Sequence, residues 1–264
     1  MKICWNITNR CNIACKHCFR DKERQELPID ENLKILKNIS GYVSEISFSG
    51  GEALMYANFI DLLKAAKKYG LRCALTTNAL LLNKDNLGNI LKYLNRIAFS
   101  LDYICDLDNA AFGRGDGYTK HLQSIIHSIK TLNSNISVKL NTVVSRKNME
   151  ILDGIKQFVK AQGIDVWQIM RYCPYRQSDD EVVQAYSITD AEFVRIKSKY
   201  EAAGDINIVV KNIDEIENQY VIAPNGDLII GQDNKDVVLL ANLHRQDLSH
   251  IKNSFNRNIY GKQD

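Results

Sequence analysis

Six strand-like runs with helical patterns between them limit what this chain can fold into more than any other feature. The runs fall near residues 2–8, 44–49, 71–76, 96–101, 136–143 and 164–171. Between them, ENLKILKNI and FIDLLKAAKKYG space their apolar residues at three and four, and the second stops at Gly70 as a helix C-cap would. DNLGNILKYL, HLQSIIHSIKTL and MEILDGIKQFVKAQG read the same way. Repeated β-then-α units predict an α/β fold with a parallel sheet and right-handed crossovers, here curled into a partial (β/α)6 barrel. Ligands of such sheets gather at the carboxyl ends of the strands. After residue 172 the pattern changes to a polar loop, a helix in ITDAEFVRIKSKY capped by Thr189 or Asp190, and a hairpin in QYVIAPNGDLIIG around Asn225-Gly226. No stretch rich in Gly, Ser or Pro cuts the chain. The expectation is a single domain over 1–264, with a core to about 172 and a short C-terminal extension over 173–264.

The first strand pattern, KICWNIT, runs straight into three cysteines within eight residues: Cys11, Cys15 and Cys18 in CNIACKHC. Thiolates on one short loop are soft ligands, suited to an iron–sulfur cluster or to zinc. Three thiolates leave one iron of a four-iron cluster without a protein ligand, free to bind something else. A structural zinc site needs a fourth ligand. His17 is at hand, but it neighbours Cys18 and has to fold back, and no second CxxC or HxxxH follows. Both readings stand here: a cluster, or a non-enzymatic zinc-binding or redox-sensing module. Cys4 and Cys73, inside strand patterns, read as small buried hydrophobes. Cys105 and Cys173 lie nearer loops, and no cysteine follows Cys173.

Charge and composition exclude several classes. A net charge of +3, from 34 basic and 31 acidic side chains, is too weak to argue for nucleic acid or a membrane surface. No apolar run approaches the roughly 18 residues of a membrane span, and the N-terminus enters a strand with no signal peptide. Seven cysteines in 264 residues do not suit a disulfide scaffold, so a reducing cytoplasm is expected.

The CxxxCxxC spacing, the strand EISFSGGEALM ending in Gly50-Gly51-Glu52, LRCALTTNA ending in Thr77-Asn78, and RIAFSLD ending in Ser100 and Asp102 together resemble the radical SAM enzymes. The resemblance implies a barrel of that type and a [4Fe-4S] cluster on Cys11, Cys15 and Cys18. It also implies S-adenosylmethionine chelating the open iron, and residues Gly50, Gly51, Glu52, Thr77, Asn78, Ser100 and Asp102 around that cofactor. Gly50 and Gly51 suit the role because a glycine backbone approaches a ligand closely. Glu52 is able to accept a hydrogen bond from the methionyl ammonium. Implied chemistry is one-electron cleavage of S-adenosylmethionine to a 5′-deoxyadenosyl radical, with the electron drawn from a reductase or flavodoxin-type donor.

Further along, FGRGDGYTKH (112–121), VKLNTVVSRKN (138–148), VWQIMRY, ITDAEF and QYVIAPNGDLIIG resemble the viperin-like nucleotide dehydratases of antiviral defence. What this implies is a ribonucleotide, typically a triphosphate, that loses hydrogen from C4′ and the 3′-hydroxyl to give a 3′-deoxy-3′,4′-didehydro product. Arg114 would contact phosphate or the carboxylate of S-adenosylmethionine, and Lys139 phosphate. Asn141 and Tyr220 would hold ribose or base, and Lys235 the terminal phosphate. The residues themselves agree in part: the glycines around Arg114 suit anionic oxygens, and Lys139 and Asn141 share one face of a strand. The chain departs from the family at Glu45, where a lysine is usual, and at Val166 and Gln168, where basic residues are usual. His121 is a candidate replacement. A radical SAM enzyme acting on a peptide or another small metabolite is the alternative; the absence of cysteines after Cys173 counts against the common peptide-modifying type.

Overall fold

A computed structural model describes residues 1–18, 24–133, 135–174, 180–202, 204, 206–217, 219–231 and 237–246. The elements run β1 (Lys2–Thr8), α1 (Ile29–Ile39), β2 (Glu45–Gly50), α2 (Phe59–Lys68), β3 (Arg72–Thr77), α3 (Lys84–Leu91) and β4 (Arg96–Ser100). They continue with α4 (Asp106–Phe112), α5 (Tyr118–Leu132), β5 (Ser137–Val144), α6 (Leu152–Ala161), β6 (Val166–Arg171), α7 (Asp180–Tyr186) and α8 (Asp190–Glu201). Last come β7 (Ile208–Lys211), α9 (Ile213–Glu217), β8 (Tyr220–Ile222), β9 (Asp227–Gly231) and β10 (Val237–Asn242).

Local chemistry explains the boundaries. Thr189 caps α8 in a capping box with Glu192, whose carboxylate accepts from the Thr189 amide. Asn83 and Asn86 do the same for α3. Gly70, with φ +72°, ends the turn after α2. Gly226, with φ +82°, turns the expected hairpin between β8 and β9.

The sheet order is β10-β9-β8-β1-β2-β3-β4-β5-β6-β7. Strands β1 to β6 pair in sequence order and in parallel, as the alternation predicts. The two ends of the order do not pair, so the barrel is partial. The C-terminal extension contributes more than a hairpin. Strand β7 adds a further parallel strand beside β6, while β8 runs parallel to β1 and leads into the antiparallel β9 and β10.

Strand alternation gives the sheet two unlike faces. One carries Ile3, Trp5, Ile7, Ile46, Phe48, Ile97, Phe99, Leu140, Trp167 and Ile169, all buried in one core with Ile35, Leu36, Leu62, Leu63, Leu122 and Val159 of the helices. Burial of each such side chain contributes about 1.5–3 kcal/mol, so this face holds the fold together. The other face carries Asn6, Ser47, Ser49, Thr76, Ser100, Lys139, Asn141 and Gln168, all only partly buried. A closed (β/α)8 barrel fills that interior with branched apolar residues. Here it is polar and accessible, the condition of a ligand-binding concavity. Cys73 sits in the apolar core as expected, but Cys4 lies on the polar face with its Sγ 3.8 Å from Asn6 Oδ1. The reason is parity: Ile3 and Trp5 take the core side.

Candidate active site

The loop carrying Cys11, Cys15 and Cys18 leaves the C-terminal end of β1, and the end of β2 clamps its root. The Gly51 amide donates to Thr8 O and the Glu52 amide to Arg10 O, both at 2.8 Å. There is no room for side chains. A Cβ on Gly50, whose φ is +133°, would lie 2.3 Å from Thr8 O, and one on Gly51 would lie 2.3 Å from Arg10 O and 2.7 Å from Asn9 O. From the far side, a Cβ on Gly113 (φ +98°) would lie 2.6 Å from Ala14 O. In this structure these glycines therefore pack the cysteine loop itself, a closer approach than a ligand alone would demand.

Within the loop the Cys18 amide donates to Cys15 O at 3.1 Å. The Asn78 side-chain amide donates to Asn12 Oδ1 at 2.8 Å and lies 3.8 Å from Cys11 Sγ. Burial pushes the Cys15 thiol up to about 11, with Arg114 acting against that rise and Cys18 and Cys11 adding to it. Among the described residues no three His, Cys, Asp or Glu side chains are already gathered around one point, as is usual where ligands close in as the metal binds. Three thiols on one loop, pressed from two sides by glycines, fit a cluster with one open iron. His17, the one candidate for a fourth zinc ligand, turns away: its Nε2 lies 3.5 Å from Asp102 Oδ2, and its ring packs against Phe112 at 4.5 Å.

Glu52 is fully enclosed and its carboxylate is heavily used. It accepts from Thr77 Oγ1 at 2.9 Å, the Asn78 amide at 2.8 Å and the Leu54 amide at 3.1 Å. Burial raises its pKa, with those donors opposing the rise. Glu52 thus ties the end of β2 to the end of β3, and it presents Thr77 and Asn78 beside the cysteine loop.

Ser100, Asp102 and Arg114 form a second knot at the end of β4. Arg114 is almost wholly buried, and its guanidinium meets Asp102 Oδ2, Ser100 O at 2.8 Å and the Tyr118 hydroxyl at 3.2 Å. Phe112 and Tyr118 stack on it at 5.5 and 5.2 Å. Its Nε is buried with no partner among the described residues. The expectation that Arg114 reaches for anionic oxygens thus meets a guanidinium already committed to a carboxylate. Asn148, which the sequence did not single out, completes the knot by donating to Asp102 O at 3.1 Å and Val143 O at 2.9 Å.

On the polar face, Lys139 and Asn141 of β5 point the same way, as their parity predicts. Lys139 Nζ donates to Gln168 Oε1 at 2.6 Å, and Asn141 Oδ1 is buried with no partner among the described residues. Burial, with Arg96, Lys211 and Lys2 nearby, lowers the Lys139 pKa to about 8; Glu45 opposes the fall. The structure does not bring Tyr220 to this group. Val221 pairs in register with Cys4 and so shares the polar face, which sends Tyr220 and Ile222 to the core side. Lys235 lies outside the described residues. His121 is turned to the end of β3, its Nε2 3.0 Å from Ala79 O. Arg96 and Lys211, which the sequence left unremarked, stand on the polar face by the parity of β4 and β7.

Residues 5–187 match the family model described as the Radical SAM superfamily. Curated proteins named S-adenosylmethionine-dependent nucleotide dehydratase are similar: one from Lacinutrix mariniflava is 29% identical over 83% of this chain, and one from Psychrobacter lutiphocae 25% identical over 84%. The chain spans 48% of the first relative's length and 79% of the second's. An AdoMet-dependent heme synthase from Oleidesulfovibrio alaskensis is 26% identical over 65% of the chain and 45% of its own length. Among solved structures, Streptococcus suis SuiB bound to S-adenosylmethionine superposes with a TM-score of 0.74 at 17% identity, covering 95% of this chain and 64% of that one. The family's members bind a [4Fe-4S] cluster and S-adenosylmethionine, which decides the cysteine loop in favour of the cluster over zinc. With its cysteine loop, its GGE clamp and a match over residues 5–187, this chain belongs to the radical SAM superfamily.

Proposed function

We propose that this radical SAM enzyme removes water from a ribonucleotide, as its similarity to nucleotide dehydratases suggests, and that it serves antiviral defence in a reducing cytoplasm. The observation that carries the reading is the polar face, where a partly buried lysine stands with an asparagine whose buried oxygen has no partner among the described residues. A partly buried cation inside the barrel suits an anionic group of the substrate such as a phosphate. None of the seven cysteines, all of them among the described residues, is joined in a disulfide, which suits the compartment.

Cys11, Cys15 and Cys18 would hold the cluster, which with S-adenosylmethionine supplies a reducing electron and a hydrogen-abstracting species. The chain's own residues position the rest. Gly50, Gly51 and Gly113 fix the loop, and Glu52 fixes Thr77 and Asn78 against it. Lys139 would take a phosphate oxygen by a charge-assisted bond, while Asn141 and Ser100, paired in register on β5 and β4, offer amide and hydroxyl to the sugar. The apolar core behind the sheet keeps that face rigid.

The test is anaerobic reconstitution, reduction with S-adenosylmethionine present, and separate reactions with ribonucleotides of each base and each phosphate number. Formation of 5′-deoxyadenosine together with one nucleotide lighter by a water is the expected result. Slow 5′-deoxyadenosine with no altered nucleotide in any reaction removes the dehydratase reading and leaves the family assignment. Lys139 gives a sharper expectation. Its ammonium loses its proton as pH rises through about 8, so nucleotide affinity should hold below pH 8 and weaken above it. Lys139→Met should cost roughly 10- to 100-fold in affinity at pH 7, the scale of one charged hydrogen bond. Calorimetric titration from pH 7 to 9.5 checks this; an affinity flat across that range removes Lys139 from the phosphate.

A further inference from the structure

Just past the end of β3 the chain takes a turn that alanine does not favour. Ala79 is fully buried with φ +70°, a left-handed conformation in which its Cβ crowds the following carbonyl. Such a backbone persists only where its surroundings hold it. The Ala79 amide donates to Thr77 Oγ1 at 3.0 Å, and Ala79 O accepts from the Leu82 amide at 2.9 Å and from His121 Nε2 at 3.0 Å. The first two bonds are local, whereas His121 reaches in from α5. A carbonyl only accepts, so the His121 ring carries a proton on Nε2 at this contact. What the turn presents is Asn78. Its Oδ1 accepts from the Leu80 amide at 3.0 Å, which settles the two ends of the side-chain amide. The nitrogen therefore faces the cysteine loop with two N–H groups. One serves Asn12 Oδ1 at 2.8 Å, and the other has Cys11 Sγ at 3.8 Å. Asn78 is 6% exposed, so water has little access to either bond. Among the described residues it is the one side chain hydrogen-bonded to a sulfur of the loop.

We infer that Asn78 donates an N–H···S hydrogen bond to Cys11 as a cluster ligand and so raises the potential at which the cluster takes up its electron, with His121 as the positioning residue that holds Asn78 there through Ala79. A ligating Cys11 is a thiolate, and a donor binds an anionic acceptor more tightly than a neutral one. Reduction adds one electron from a flavodoxin-type donor and makes or breaks no bond in the protein. The negative charge on the cluster and its thiolates grows by one, so an N–H dipole aimed at a thiolate favours the reduced form. Hydrogen bonds to the sulfurs are among the determinants of iron–sulfur potentials. The strain at Ala79 fits this role. A relaxed turn would swing the amide relative to Cys11, and a hydrogen bond weakens steeply as its angle and distance depart from the ideal.

The experiment is a redox titration of the cluster-loaded protein followed by electron paramagnetic resonance, without S-adenosylmethionine so that contacts to the cofactor do not enter. Iron content and the spin count at full reduction verify the cluster in each variant. Asn78→Ser keeps an oxygen for the Leu80 amide and removes both N–H groups. Its cluster should be harder to reduce: at a fixed potential the ratio of reduced to oxidised form should fall roughly three- to tenfold, tenfold being about 59 mV for one electron. His121→Leu, which cannot donate to Ala79 O, should shift the potential the same way by less. His121→Gln, which can donate, should restore the parent value. An Asn78→Ser cluster that titrates at the parent potential overturns the inference. If Asn78→Ser loads no iron, His121→Leu decides instead, since its side chain touches neither the loop nor a thiol, and a parent potential there overturns the inference. A shift in His121→Leu that His121→Gln fails to reverse overturns the part given to His121.

Discussion

Gly51→Ala should leave the protein with almost no iron after reconstitution and should lower its stability by about 1–3 kcal/mol or more. The new Cβ would lie 2.3 Å from Arg10 O and 2.7 Å from Asn9 O, and both are backbone atoms that cannot rotate away. Arg10 O also receives the Glu52 amide at 2.8 Å, so pushing it aside breaks the bond that starts the Glu52 brace. The displaced strand root is the segment that leads into Cys11. Displacing it moves one thiol relative to the others, and a shared cluster tolerates that poorly. Gly88→Ala is the control. Gly88 is in the interior of α3 with nothing within 4 Å of an added Cβ, so alanine should stabilise by roughly 0.4–1 kcal/mol and leave iron loading unchanged. Iron analysis and urea denaturation of the two variants decide the matter. If Gly51→Ala loads about four irons per chain and unfolds like the parent, the clamp on the loop is not what holds the thiols in place.

The features legible in the sequence are those that chain connectivity enforces. Three cysteines within eight residues must share a loop whatever the rest does, and apolar alternation forces Trp5, Phe48 and Trp167 to one side of a sheet. The same alternation placed Lys139 and Asn141 together. What was not legible depends on long-range register. Arg114 in a glycine-rich turn looks like an anion hook until Asp102, Ser100 and Tyr118 surround it. Tyr220 looks like a ligand for a base until the pairing of Val221 with Cys4 turns it towards the core. Glu45 looks like a lost lysine, and only the pairing of β1, β2 and β3 shows it gathering Lys2 and Arg72. β7 and β10 went unread because a four-residue strand and a second strand after the hairpin carry little periodic signal.

Arg114→Met should destabilise the protein by about 3–5 kcal/mol, the usual cost of stranding one member of a buried ion pair. Asp102 is 1% exposed and Arg114 4%, so neither charge has water to fall back on. Removing the guanidinium leaves the carboxylate with the Val143 amide at 2.8 Å and with His17 at 3.5 Å. Pairing Arg114→Met with Asp102→Asn should recover part of the loss, because the stranded charge goes with it. Acid should expose the same interaction. Burial alone would raise the Asp102 carboxyl, but Arg114, with help from His17 and the Val143 amide, outweighs it and holds the group at about 2, below its ordinary 3.8. A carboxyl depressed in the folded state stabilises fully above its unfolded value and loses that contribution as pH falls from about 4 towards 2. The amount is on the order of 2 kcal/mol. Parent and Asp102→Asn should therefore converge in stability as the pH drops through that window. Guanidinium denaturation at pH 7, 4, 3 and 2 measures it. A gap that stays constant to pH 2 means the pair is not charged, and that Arg114 is held by Ser100, Tyr118 and the stacked rings alone.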